Sequence, residues 1–195
     1  VMVSASAMYY VKSYVENQGK VNYDYVKQMT FSKFWSFTAL YIVTGIIVFV
    51  GILFCFLPGI YFGIVLSLSS CLLVFTKKSA MDAIGDAFTF IRGHWWDSFG
   101  ILIVVYLIVS VLNFITQVPA MIYQLIQIGT SAFGGDPTEM MNLFKDPIYL
   151  VLLTFSYFIQ FLFYTITLLV IIFIFFDINE QKNNSGAIDK IDAIG

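Results

Sequence analysis

The chain has 195 residues, of which 59% are hydrophobic, 18% aromatic and only 11% charged, with a formal net charge of −2. Soluble domains carry about 25% charged residues, so a water-facing surface built from this chain would be covered in large apolar patches. Disorder is excluded by the wealth of apolar and aromatic residues, and the small net charge argues against a nucleic-acid partner. What remains is an all-α polytopic membrane protein forming a single transmembrane domain.

Val1 to Val11 is mostly apolar or small. Eleven helical residues rise ~16 Å, about half of a ~30 Å hydrocarbon core. The stretch is therefore expected to be the last half of a span that begins before Val1. An interfacial helix or a soluble arm is the other reading. From Lys12 to Lys33 the chain is polar and aromatic, and Val21, Tyr25, Val26 and Met29 recur at helical spacing, which predicts a short helix along the membrane surface.

Four complete spans follow, over 35–57, 60–75, 96–116 and 148–176, so that part of a further N-terminal span makes a fifth element. Pro58-Gly59 predicts a turn between the first two. Gly45, Gly51 and Gly63, with Ser67, Ser69 and Ser70, offer small surfaces for close packing in lipid. Between the second and third spans, residues 80–92 alternate as an amphipathic helix on the membrane surface, broken by Gly93. Pro119 is expected to end the third span, with Ala120 to Ile128 as a broken or interfacial continuation. Residues 130–147 form a polar loop, in which Asp136-Pro137-Thr138-Glu139 is a helix-start signal for a short helix reaching Phe144. The last span is longer than one crossing requires, which predicts tilt or protrusion. Residues 177–195 form a polar tail.

With this span count, Lys12, Lys20, Lys27, Lys33, Lys77, Lys78, Arg92, Lys182 and Lys190 share one side of the membrane and only Lys145 lies on the other. The positive-inside rule assigns the nine, and the C-terminus, to the cytoplasm and makes 130–147 external. The segments Trp35–Pro58 and Trp96–Pro119 share a 61-residue offset and an aromatic lead-in, which reads either as a parallel internal repeat or as coincidence.

Reactive chemistry is sparse. His94 is the single histidine, beside two tryptophans, with no second ligand at metal spacing. Cys55 and Cys71 fall ~15–20 Å apart along the expected helices, too far for a disulfide. No nucleophile triad, phosphate-binding glycine loop or paired catalytic carboxylates can be read from the chain. The expectation is a non-enzyme with no catalytic residues, cofactor or metal. Asn113, Gln117 and Gln160 are the deepest amide side chains and are expected to glue helices together. The one cluster with chemical character is Arg92, His94, Trp95, Trp96 and Asp97 at the mouth of the third span. It reads either as a structural Arg92–Asp97 ion pair or as a site where Arg92, His94 and the tryptophans hold a lipid phosphate.

The run Arg92-Gly93-His94-Trp95-Trp96-Asp97-Ser98-Phe99-Gly100, preceded by the amphipathic helix, resembles a signature in a family of bacterial polytopic membrane proteins. That family includes the membrane domain fused to some glycerophosphoryl diester phosphodiesterases. Leu57-Pro58-Gly59-Ile60-Tyr61 resembles its hairpin, and Ile188 to Gly195 the tail of stand-alone members. The catalytic barrel of the fused enzymes is absent from this chain, so the resemblance carries over no phosphodiesterase residues. It implies a protein of the bacterial cytoplasmic (inner) membrane. The functional expectation is an accessory or scaffolding subunit with membrane lipids and other membrane subunits as partners. A lipid-handling or transport module using the Arg92 cluster is the alternative.

Overall fold

The computed structural model describes residues 1–54, 56–128 and 144–183, and every regular element among them is α-helical. In chain order these are α1 (Met2–Glu16), α2 (Tyr23–Ser32), α3 (Phe34–Phe54), α4 (Phe56–Ser67), α5 (Ser69–Phe75), α6 (Ala80–Phe90), α7 (Trp95–Ile128) and α8 (Pro147–Asn183). Four stretches are long and apolar enough to cross a membrane: Phe34–Phe54, Phe56–Phe75, Trp95–Gln127 and Pro147–Asn183. The chain is a helical membrane protein. Cys55, residues 137–143 of the expected short helix and the tail beyond Asn183 lie outside the described residues.

The chain divides into two compact units, one of Val1–Leu102 with Leu168–Gly195 and one of Ile103–Thr167. The first holds the main core. Helix α1 buries one stripe, Ser4, Ala5, Met8, Tyr9, Lys12 and Ser13, at the spacing of a single helix face. Helix α5 is buried on all sides from Ser69 to Val74, and α6 turns Ala83, Ile84 and Ala87 inward as its amphipathic pattern requires. Ser79 caps α6 reciprocally: its Oγ accepts the Asp82 N–H at 3.3 Å and donates to Asp82 Oδ2 at 2.6 Å.

Helices α3 and α4 pack most closely where glycine removes side chains. A Cβ at Gly59 would lie 2.3 Å from Ile52 Cγ1 and 2.9 Å from the Ile52 nitrogen, and one at Gly51 would lie 3.1 Å from the Gly59 Cα. Gly59 therefore permits backbone approach rather than a turn. The chain reverses before the expected Pro58-Gly59 turn, and both residues sit in the first turn of α4. Proline is tolerated there because the first N–H groups of a helix have no internal acceptor. Of the other small residues, Gly45 and Gly63 face open space. The expected second span is two helices, with a break at Leu68. The hydroxyls of Ser67 and Ser69 donate back to the carbonyls of Ile64 and Leu66 at 2.7 and 2.5 Å, a competition that bends helices.

The polar end of α8 extends the helix beyond the expected limit at Phe176 to Asn183. Side-chain bonds one turn apart support it, from Gln181 to Asp177 and from Asn183 to Asn179, both at 2.9 Å. Lys182 Nζ donates to the Thr89 carbonyl at 2.9 Å and lies over the Phe90 ring, so the last turn of α6 receives a cation at its negative end. Phe175 stacks between Phe75 and Phe90, with centroids 5.2 and 5.1 Å away.

The second unit has little core: Ala120 and Tyr149 are buried, with Tyr123, Leu152 and Leu153 against them. Helix α7 continues through Pro119 instead of ending there. A proline removes one N–H and crowds the carbonyls a turn before it. The carbonyl that loses its donor here is that of Ile115, and the adjacent Thr116 carbonyl accepts Ser156 Oγ of the neighbouring helix at 3.1 Å. Asp146 caps α8, its Oδ1 accepting the Ile148 N–H at 2.8 Å, with Pro147 as the first helical residue.

Candidate functional site

The Arg92–Asp97 segment is a helix-to-helix joint. Ile91 ends α6 with its N–H on the Ala87 carbonyl, and Gly93 takes φ +92°, a conformation in which a side chain would be strained. The His94 N–H then returns to the Ile91 carbonyl at 2.9 Å. The His94 carbonyl opens α7 by accepting both the N–H and the Oγ of Ser98, at 3.0 and 2.9 Å.

The two tryptophans face different surroundings. Trp95 is half-buried and stacks on Phe99 at 5.3 Å and on Tyr61 at 5.6 Å. Its indole N–H is buried without an acceptor among the described residues. Trp96 is 75% exposed. Arg92 and Asp97 are both exposed, and His94 is half-buried. The ion pairs among the described residues are Lys12–Glu16 and Lys78–Asp86; Arg92 and Asp97 do not form the expected pair. The four residues between them, Gly93 to Trp96, direct one past the end of α6 and the other onto the first turn of α7. The arrangement presents a guanidinium without an ion pair and an exposed indole four residues further along the chain. Among the described residues no three His, Cys, Asp or Glu side chains come together as a metal site.

A second constellation lies within Ile103–Thr167 and was only partly visible in the sequence. A cleft of about 190 Å³ between α7 and α8 is lined by Gln117, Gln124, Tyr149, Ser156, Tyr157 and Gln160 among others. The expected interhelical bonds of Asn113, Gln117 and Gln160 do not form: none of these amides, nor that of Gln124, hydrogen-bonds to a described residue. Their neighbours are paired. Tyr123 O–H donates to Asp146 Oδ2 at 2.7 Å, and Gln127 Nε2 donates to the Tyr123 oxygen at 3.0 Å. The Tyr123 hydroxyl, and then the Ile148 N–H, hold the Asp146 carboxyl below its ordinary range. The missed residues do carry a sequence signal. Gln117, Ala120, Met121 and Gln124 follow i, i+3, i+4, i+7, and Tyr149, Leu153, Ser156 and Gln160 follow i, i+4, i+7, i+11, so each set lies on one helix face.

Residue counts place the cleft along α7 and α8. About 20 helical residues cross the hydrocarbon. Counted from Trp96 they end near Ile115, and counted back from Phe176 they end near Tyr157. The Ser156–Thr116 bond joins α7 and α8 at that same level. Gln117, Gln124 and Tyr149 lie beyond it. The helices nevertheless stay apolar there, with Ile122, Ile126, Ile148, Val151 and Phe155 all exposed. Helix α7 has 34 residues, more than the ~20 that one crossing requires.

Comparison of the chain with known protein families, with characterised proteins and with solved structures finds no match.

Proposed function

We propose that the protein is a non-enzymatic integral membrane subunit, an accessory or scaffold for another membrane protein, and that the outer ends of α7 and α8 are its docking face. The observation that carries this reading is the pairing of exposed apolar residues with unpartnered amides around the level where one bilayer crossing ends, Gln117 and Gln124 beyond it and Gln160 about one turn inside it. Hydrocarbon would cover Ile122, Ile126 and Val151 but offers nothing to Gln117, Gln124 and Gln160. Water would do the reverse. A helix of a partner subunit carrying polar side chains on an apolar face satisfies both. In this reading the membrane is the bacterial cytoplasmic membrane, as the resemblance implies. The lysine-bearing ends and the C-terminus face the cytoplasm, and the docking face lies at the external boundary.

A photo-crosslinking residue at Gln124 tests the reading in intact membranes. One discrete, saturable adduct is expected from that position, and none from Tyr106, whose side chain is exposed on the same helix. Equal, diffuse crosslinking from both, or adducts to lipid alone, would overturn it.

The alternative, a lipid-handling module, is favoured by one observation: Arg92 and Trp96, four residues apart in the chain, are both exposed and Arg92 has no ion pair. In that reading Arg92 meets the phosphate and Trp96 the glycerol region of a headgroup. Loss of a co-purifying lipid on Arg92→Ala, with the Gln124 adduct absent, would favour it over docking.

A further inference from the structure

Four lysines converge on one small cavity in the first unit. The cavity, about 150 Å³, is bordered by Tyr9 and Lys12 of α1, Tyr25 of α2, Lys33 at the α2–α3 joint, and Lys77 and Lys78 after α5. Its floor is fixed. Lys12 is 3% exposed and donates through Nζ to the Val74 carbonyl at 2.6 Å, on the last turn of α5. One carboxylate oxygen of Glu16 stands 3.9 Å from the same ammonium. Two of the three Lys12 N–H donors are left for another acceptor. Lys78 is shared with Asp86 through an ion pair. Lys33 and Lys77 are exposed at the rim with no ion pair to a described residue.

Lys77 carries an independent mark. It sits at φ +57°, just past the end of α5, in the left-handed conformation that helix ends reserve for glycine. A side chain there is unfavourable by itself and points to a role for what it carries. Charge accumulation is the second mark. Burial lowers the pKa of Lys12, Glu16 draws it back up, and Lys77 repels it further. Four cations face two carboxylates, so the site is short of negative charge. The location is the third. Lys33 immediately precedes the span Phe34–Phe54, and Lys77 follows the span that ends at Phe75. Both stand where hydrocarbon gives way to headgroups.

We propose that this cavity binds a phosphate group, with Lys12 at its floor and Lys33 and Lys77 closing over it. The volume admits a phosphate and is below the ~300–1,000 Å³ of sites for larger organic ligands. Compact ammonium groups suit a phosphate approached from several sides, as lysine binds it as a point charge. The phosphate is that of an anionic lipid headgroup or of a soluble phosphate, and the two sources separate by experiment. This proposal is independent of the α7–α8 docking face.

The test compares the full chain with the pair Lys33→Gln/Lys77→Gln and the control pair Lys20→Gln/Lys27→Gln, which removes the same charge away from the cavity. Lys12 is left intact because its loss would disturb α5. Each protein is reconstituted in nanodiscs of phosphatidylcholine with one-fifth phosphatidylglycerol, and lipid retention is read by native mass spectrometry. Inorganic phosphate binding is read by calorimetry in phosphatidylcholine alone. The parent is expected to retain one phosphatidylglycerol, and the cavity pair to retain it about 25-fold less, a factor of about five for each lysine. The control pair should match the parent. Retention of lipid without inorganic phosphate binding identifies the headgroup. Phosphate binding that displaces the lipid identifies a soluble ligand. No binding of either probe, or equal losses in the cavity and control pairs, overturns the proposal.

Discussion

The span α3 and the long helix α7 are equally apolar, with mean hydropathy 2.5 over their best 18-residue windows, yet 22% of that window is buried in α3 and none in α7. The span formed by α4 and α5 is less apolar, at 2.0, and is 61% buried. Apolarity therefore selects the solvent and does not select the packing. In lipid, what draws helices together is the removal of side chains and the pairing of polar atoms. Gly51 and Gly59 do the first in the hairpin, and Ser69, Ser70 and Cys71 give α5 a small girth that neighbours can surround. Beyond Gly100, α7 is mostly bulky residues and amides, and Ala120 is the one described residue of that stretch that is buried.

The contrast is broken most strongly at Gly59. Gly59→Ala places a methyl against the Ile52 backbone and should lower stability by about 1–3 kcal/mol, the usual penalty for overpacking. Gly63→Ala, where nothing stands within 4 Å, should be neutral or slightly stabilising. Thermal unfolding in detergent measures both, and equal effects would remove the distinction between the two glycines.

Lys12 comes next. Lys12→Met strips the Val74 carbonyl of its donor and should cost about 1–3 kcal/mol. The pH dependence is signed. Because burial depresses the Lys12 pKa in the folded state, the unfolded chain holds that proton more tightly. Stability therefore rises with pH between the depressed value and 10.5. Unfolding midpoints across that range should climb in the parent and flatten in Lys12→Met.

In the second unit the effects are smaller, because fewer contacts are at stake. Ser156→Ala removes the donor to the Thr116 carbonyl and should cost about 0.6 kcal/mol, typical for a polar contact between membrane helices. At the exposed end, Tyr123→Phe should move the Asp146 pKa up toward 3.8, since the tyrosine hydroxyl is the main influence holding it down. The capping contribution of Asp146 is present above 3.8 and fades as pH falls through its lower folded value, so Tyr123→Phe shifts that loss to higher pH. Carboxyl chemical shifts in a titration would record it.

Much of this architecture is legible in the residues themselves. The apolar runs give the four spans, and the Ala80–Ile91 periodicity gives α6 with its buried Ala83, Ile84 and Ala87. The punctuation is less legible. Pro58 and Pro119 look alike in sequence, but one lies in the first turn of α4 and the other passes inside α7, with Ser156 of the neighbouring helix on the Thr116 carbonyl. The suggested repeat diverges at these same prolines. In the Arg92–Asp97 segment the sequence marks a joint and an aromatic belt. It does not reveal that Trp95 turns in, Trp96 turns out and the two charges stay apart. The convergence of Lys12 with Lys77 depends on α1 lying against α5, a contact between residues 62 positions apart in the Lys12–Val74 bond, and no local pattern encodes it.

The most direct trial of the docking face is a native mass spectrum of the protein released from its own membranes in mild detergent. The account predicts this chain bound to one additional protein in fixed ratio. That mass should be lost in a folded Gln117→Leu/Gln124→Leu/Gln160→Leu variant and kept in Gly63→Ala. The chain alone with its lipids, or a partner retained by the triple variant, would contradict it.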